Sequence, residues 1–196
     1  FKPIALFDGG IRLHPKNLLK AWYRKYVRLN YRRADLVLCI SDAAHEAAIR
    51  TFNIKPERAV IMRPGVTGRM ADAKWGEIRR EFEISPDEQV VVSIGRITKA
   101  KGVEDVGEVA RALSLRGKNY RFLFAGVERD EVYGRMIRQK YGRFVTFIGH
   151  RADIANVYAD ADLLLHLSHR EGSPLVVIEA REFGVPCVAW DIAGIS

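Results

Sequence analysis

The stretch Leu163-Leu164-Leu165-His166-Leu167-Ser168-His169-Arg170-Glu171-Gly172-Ser173-Pro174-Leu175-Val176-Val177-Ile178-Glu179-Ala180-Arg181-Glu182-Phe183-Gly184-Val185-Pro186 contains one complete unit of a fold. Leu163–Leu167 is a short apolar run of strand length, and a polar, glycine-containing loop follows it. The spacing then predicts a helix over Pro174–Phe183. Ser173 suits its N-cap, and Pro174 suits the first turn, where a missing N–H leaves no bond unmade. Gly184 and Pro186 end the helix where enders belong. Strand, loop, helix and a second apolar run at Pro186–Ala189 make a βαβ unit with parallel strands.

The same alternation extends through the chain. Strands are predicted at Ile4–Phe7, Leu36–Ile40, Ala59–Met62, Val90–Ile94, Arg121–Phe124 and Val145–Ile148. Helices are predicted at Lys16–Arg33, Asp42–Phe52, Ala73–Phe82, Gly102–Leu115, Glu131–Tyr141 and Ile154–Ala159. The strand runs are continuous Val, Ile, Leu and Phe, not alternating, as expected where helices cover both faces of a parallel sheet. The fold class is therefore α/β with Rossmann-like parallel sheets. The aperiodic, turn-rich Arg63-Pro64-Gly65-Val66-Thr67-Gly68 separates a domain over residues 1–62 from one over 74–196, with 63–73 as the linker.

Composition narrows the function classes. Apolar residues are 48% and charged residues 29% of 196, enough for a packed core and unlike a disordered chain. No apolar run approaches the roughly 20 residues of a membrane-spanning helix. The net charge of +8 is local: residues 1–33 hold nine Lys/Arg and one acid, and the remainder is neutral. A nucleic-acid binder carries its positive charge across the folded domain, so no nucleic-acid partner is expected. Cys39 and Cys187 lie in apolar runs and are expected to be buried, reduced thiols. The chain begins without Met and stops one loop after a strand, so it is expected to be a piece of a longer protein.

Two segments carry chemistry. Gly95-Arg96-Ile97-Thr98-Lys99-Ala100-Lys101-Gly102 follows the strand Val90–Ile94, at the end where open α/β sheets bind ligands. Arg96 offers a planar fork to phosphate oxygens and Lys101 a point charge, although solvated surface cations have the same pattern. In the second segment the helix N-terminus beside Gly172 suits an anion. Glu171 precedes that helix and Glu179 lies within it. The six helical steps from Ser173 to Glu179 rise about 9 Å, roughly the distance from a sugar phosphate to a ribose. Glu179 sits in an apolar run and needs partners there, either ribose hydroxyls or neighbouring backbone amides. His166 and His169 have a ligand-like spacing, but on a strand their side chains project to opposite faces, so no metal site is expected. Lys20, Arg24, Arg28 and Arg32 recur every four residues along one helix face. That face is either the solvated exterior of a helix covering a sheet or a dock for an anionic membrane.

Glu171, seven intervening residues and Glu179, with Gly172 and Ala180, resemble the signature of retaining glycosyltransferases of group 1 (family 4), which have the GT-B fold. Other motifs agree in order: Ala34–Ser41 resembles a late N-domain strand with its helix cap, Arg63–Val66 the interdomain turn, and Gly95-Arg96 with Lys101-Gly102 the diphosphate loop. Gly184–Pro186 closes the unit. Some positions depart from the pattern. Leu167 replaces the Pro before Ser168, Gly172-Ser173-Pro174 replaces Gly-Phe-Gly, and Gly126-Val127-Glu128 replaces Gly-x-Gly.

The resemblance implies a retaining hexosyltransferase that moves sugar from a nucleotide-diphosphate sugar to a glycan or lipid-linked acceptor. No metal or other cofactor is implied. Arg96 and Lys101, with Gly95, would hold the diphosphate and stabilise the leaving charge. Glu171 would meet the donor sugar, and Gly172, Ser173, Pro174 and Leu175 would lie close to sugar and phosphate. Glu179 would bind ribose. Asp8, ending Pro3–Asp8, falls where the family often has an active-site His. Residues 1–62 would be the last part of the acceptor domain and 74–196 most of the donor domain, a fragment not expected to transfer sugar alone. A cytoplasmic location, peripheral on the inner membrane face through helix 16–33, goes with lipid-linked acceptors. A GT-B epimerase, a non-catalytic nucleotide-sugar binder and, more distantly, a basic surface module are the alternatives.

Overall fold

The computed structural model describes residues 4–7, 18–66, 68–192 and 195. The chain divides into two compact units. The first comprises Phe1–Pro64, Arg170–Pro174 and Asp191–Ser196; the second comprises Gly65–His169 and Leu175–Trp190.

In the first unit β1 (Ile4–Phe7), β2 (Leu36–Cys39) and β3 (Ala59–Ile61) form a parallel sheet in the order β1-β2-β3, with Ile4 opposite Leu36 and Val37 opposite Ala59. Helix α1 (Leu18–Arg33) leads into β2. Helix α2 (Asp42–Phe52) starts where the Ser41 hydroxyl accepts the Ala44 amide at 3.2 Å, the N-cap arrangement expected from the sequence. It stops at Asn53, a left-handed residue. Val37, Cys39, Ala44, Ala48 and Phe52 build the core of this unit.

In the second unit β4 (Gln89–Ile94), β5 (Tyr120–Ala125), β6 (Val145–Gly149), β7 (Leu163–His166) and β8 (Cys187–Ala189) form a parallel sheet in the order β6-β5-β4-β7-β8. Strand β4 shows why its apolar run is continuous. Val90 and Val92 join one buried cluster with residues of α3 (Glu77–Glu81), α6 (Ile154–Ala159) and α7 (Leu175–Glu182). Val91 faces the other cluster, with residues of α4 (Val103–Leu115) and α5 (Glu131–Tyr141). Both sheet faces are covered, as a doubly wound parallel sheet requires. The chain passes outward from β4 to β5 and β6, then returns to place β7 on the opposite side of β4.

Two expectations are corrected. The helix predicted over Ala73–Phe82 is shorter, Glu77–Glu81, preceded by a 3-10 turn at Arg69–Asp72. Gly76 turns left-handed (φ 81°), and the carboxylate of Asp160 accepts the amides of Gly76, Ile78 and Arg79 at 2.6, 2.9 and 3.1 Å. The Lys74 amide goes to the Asn156 side chain at 2.7 Å. The Lys74 and Gly76 amides therefore bond to side chains of α6 and its C-cap residue instead of continuing a helix. The second correction is Cys187, which is exposed because β8 is an edge strand, whereas Cys39 in the central strand of its sheet is buried. Desolvation raises both thiols above the ordinary value, so neither is an activated thiolate.

Candidate functional site

The connection after β4 runs to β5 on one side and the connection after β7 runs to β8 on the other, so the two diverge from neighbouring strands. A crevice opens outside the carboxyl ends of such strands, at the switch in strand order. The loop Gly95–Gly102 runs along it. The Gly95 amide continues the ladder to the Ala125 carbonyl at 2.9 Å and the Ile97 amide to Val127 at 3.0 Å. A short 3-10 turn, Lys99–Lys101, then brings the chain to left-handed Gly102 (φ 62°) at the start of α4. A Cβ at Gly102 would stand 1.8 Å from the Leu167 carbonyl oxygen, so only glycine fits. The loop after β7 holds this turn from its other side. The Ala100 carbonyl accepts the Ser168 hydroxyl at 3.1 Å and the His169 amide at 3.0 Å. The His169 imidazole meets the Asp105 carboxylate in the first turn of α4.

Beside that loop lies a cleft of about 310 Å³, with Gly95, Arg96, Gly126, His150, Arg151 and Glu179 among its walls. Its backbone walls are tightly apposed. A Cβ on Gly126 (φ 146°) would fall 1.8 Å from the Gly95 carbonyl oxygen. Arg151 is clamped from behind by Glu81 at 2.6 and 2.7 Å and by Asp153 at 2.9 and 2.7 Å. Its guanidinium holds both carboxyls below their ordinary range. Glu128, the departure from Gly-x-Gly, is bound bidentately by Arg138 of α5 at 2.8 and 2.7 Å, which takes its carboxyl down to about 2. That pair anchors the loop following β5 to its own helix.

Glu179 is 7% exposed yet reaches the cleft wall. Its Oε2 accepts the phenol of Tyr158 at 2.8 Å. Arg96 is exposed, and among the described residues it has no hydrogen-bond or ion-pair partner. The Lys101 stem runs alongside Gly95: a Cβ built there would lie 3.8 Å from Lys101 Cδ.

Gly95, Arg96 and Glu179 thus share one cleft, with Lys101 at its edge. Leu175 is the first residue of α7 and is exposed. Pro174, not Ser173, directly precedes that helix, one residue later than predicted. Glu171, Gly172, Ser173 and Pro174 belong by their contacts to the first unit. Asp8 lies outside the described residues. His150 and Arg151 were not singled out from the sequence, although they follow β6 at its carboxyl end, the position that marked the Gly95 loop. His166 is buried on β7 and His169 is exposed. Among the described residues no three His, Cys, Asp or Glu are grouped to hold a metal, and no helix is long and apolar enough to cross a membrane.

A doubly wound parallel sheet with a glycine-walled cleft at its switch point is a Rossmann-like architecture, whose ligands sit in that crevice. The chain belongs to the glycosyl transferases group 1 family, which it matches over residues 76–196. It is 27% identical over 176 residues to D-inositol 3-phosphate glycosyltransferase of Actinosynnema mirum, covering 83% of this chain and 42% of that protein. It is 26% identical over 207 residues to the putative colanic acid biosynthesis glycosyltransferase WcaL of Salmonella typhimurium, covering 98% and 48%. The Anabaena protein Alr3699/HepE, crystallised with UDP and glucose, shares the fold with a TM-score of 0.76 at 23% identity, over 98% of this chain and 54% of that one. The chain therefore spans less than half the length of these two curated relatives.

Proposed function

We propose that this chain forms the donor-binding part of an enzyme that transfers a hexose from a nucleoside-diphosphate sugar to a glycan or lipid-linked acceptor, retaining the anomeric configuration. The observation that carries this reading is the convergence of Arg96, Lys101 and the buried acid Glu179 on one glycine-walled cleft in a chain of the group 1 family. Arg96 and Lys101 take the diphosphate. Charge grows on that diphosphate as the sugar departs, and cations held in place before the reaction stabilise it without reorganisation. Glu179 takes the ribose hydroxyls. Glu171 meets the transferred sugar, and the amides around Ser173 and Leu175 at the α7 terminus add their dipole to the anion site. Gly172 and Pro174 belong to that turn, and Asp8 serves the acceptor in this reading. No metal takes part in this reading.

The acceptor is presented at an anionic membrane surface through α1. Its basic residues Arg28 and Arg32 are exposed, as are its apolar Tyr26 and Leu29, the combination that an interfacial helix uses. The exposed face supports a peripheral location on the cytoplasmic leaflet.

The test is calorimetry with a panel of nucleoside diphosphates, UDP among them, on the wild type and Arg96→Ala. Binding that weakens at least tenfold in the variant is the expected result, since a charge-assisted bond contributes roughly 1.5–3 kcal/mol. Indifference of the wild type to every nucleotide overturns the reading. Product anomer analysis then separates retaining transfer from epimerisation of the donor.

A further inference from the structure

We propose that Tyr158 is a positioning residue for the donor: its phenol sets the Glu179 carboxylate in the orientation that receives the ribose. The inference rests on the donor reading above and adds a residue to it. Tyr158 is fully buried in α6, and its ring stacks on Phe183 with centroids 5.5 Å apart. That packing confines the ring. The hydroxyl lies 2.8 Å from Glu179 Oε2 and 3.2 Å from the Val176 carbonyl oxygen. A phenol has one proton, and the carboxylate oxygen, nearer and of higher charge density, is the stronger acceptor.

Glu179 is an acid on a helix whose neighbouring residue Ala180 is completely buried, and it stands at the wall of the 310 Å³ cleft. A carboxylate there gains two things from the phenol. One is a hydrogen bond that offsets part of its desolvation. The other is a fixed plane: with Oε2 held, rotation about the last side-chain torsion is blocked, and the carboxylate's remaining acceptor capacity keeps one direction. A ribose diol that meets a fixed acceptor does not have to order it first, so the entropy of that ordering is not lost on binding.

The prediction is specific to the ribose hydroxyls. Wild-type protein should bind UDP at least about tenfold more tightly than 2′,3′-dideoxy-UDP, the worth of a hydrogen bond to a charged group. Tyr158→Phe, which removes one oxygen, should cut that preference to below about threefold while leaving the affinity for pyrophosphate within about twofold. The ratio of two affinities measured on one sample does not depend on the folded fraction, so partial unfolding of the variant does not mask the result. Incorporation of 4-aminophenylalanine at position 158 restores a donor at the same place and should restore the preference. An unchanged preference in Tyr158→Phe, equal loss of UDP and pyrophosphate, or failure of the amino analogue to restore the preference overturns the positioning role while the donor reading stands. A wild type that binds no nucleoside diphosphate of the panel overturns the donor reading, and one that binds UDP or another of them without distinguishing it from its 2′,3′-dideoxy analogue overturns the ribose assignment of Glu179; this inference falls with either.

Discussion

Ser168 donates its hydroxyl to the Ala100 carbonyl at 3.1 Å, joining the loop after β7 to the turn that carries Lys101. Ser168 has no exposed surface, so the bond is shielded from competing water. The same carbonyl also takes the His169 amide, and Gly102 packs against Leu167 directly beside it. The turn is thus fixed from across the switch crevice before any ligand arrives.

Ser168→Ala should therefore cost stability modestly, about 0.5–1.5 kcal/mol, because the His169 amide still satisfies the carbonyl. Gly102→Ala should cost far more. Its new Cβ meets backbone at 1.8 Å, and left-handed φ adds strain of about 1 kcal/mol or more. Urea unfolding of both variants gives the order; Gly102→Ala equal to or milder than Ser168→Ala would contradict this account of the turn.

Arg96→Ala should leave the melting temperature of the ligand-free protein unchanged, since among the described residues Arg96 has no partner to lose. A nucleotide diphosphate should still raise that temperature, but by less than in the wild type. Adding Lys101→Ala should deepen the loss of affinity by a further factor of about ten. A large fall in ligand-free stability from Arg96→Ala alone would mean that the guanidinium serves the fold.

Most strands were legible because they are continuous apolar runs. Val90, Val91 and Val92 are apolar in succession since successive side chains enter opposite cores. The Gly95–Gly102 loop was legible from glycines and cations after such a run. The start of α3 was not, because its cap is Asp160, more than 80 residues away. The far wall of the cleft was illegible for the same reason, Arg151 being set by Glu81 at a separation of 70 residues. Cys187 reads as core in sequence but lies on an edge, and strand order is not written in any single run. For Glu179 the sequence left ribose hydroxyls or backbone amides as partners, whereas the structure supplies a phenol from α6.

Acid should loosen the loop after β5. Arg138 lowers the Glu128 carboxyl from 4.5 to about 2, first through its hydrogen bonds. A carboxyl depressed in the folded state stabilises above its unfolded value, and that contribution is lost as pH falls from near 4.5 toward 2. Glu128→Gln should therefore lie below the wild type in melting temperature at pH 6 and approach it at pH 3. Added salt should narrow the gap at pH 6, since both side chains are partly exposed. A gap that is constant with pH would assign the loss to packing of the Glu128 stem against Gly134 instead.

Asp160 offers the strongest single test of how α3 is joined to the sheet. Its Oδ1 takes the Gly76 amide and its Oδ2 takes those of Ile78 and Arg79, at a helix start that no local side chain caps. Ile78 beneath that turn is fully buried and belongs to the cluster that includes Val90, Val92 and Leu164. Removing the carboxylate leaves three donors at the edge of that core, so Asp160→Ala should cost about 2–4 kcal/mol, above an ordinary N-cap loss of about 1. Asp160→Asn should recover little. An amide keeps one oxygen, and whichever way it is turned its NH₂ faces either the Gly76 amide or the Ile78 and Arg79 pair, donor against donor. Full recovery by Asn would show that one acceptor suffices, and that the helix dipole contributes nothing through the aspartate charge. Hydrogen exchange locates the effect: the Ile78 and Arg79 amides should lose protection first in Asp160→Ala, while amides of β4 and β5 retain theirs until the second unit unfolds as a whole.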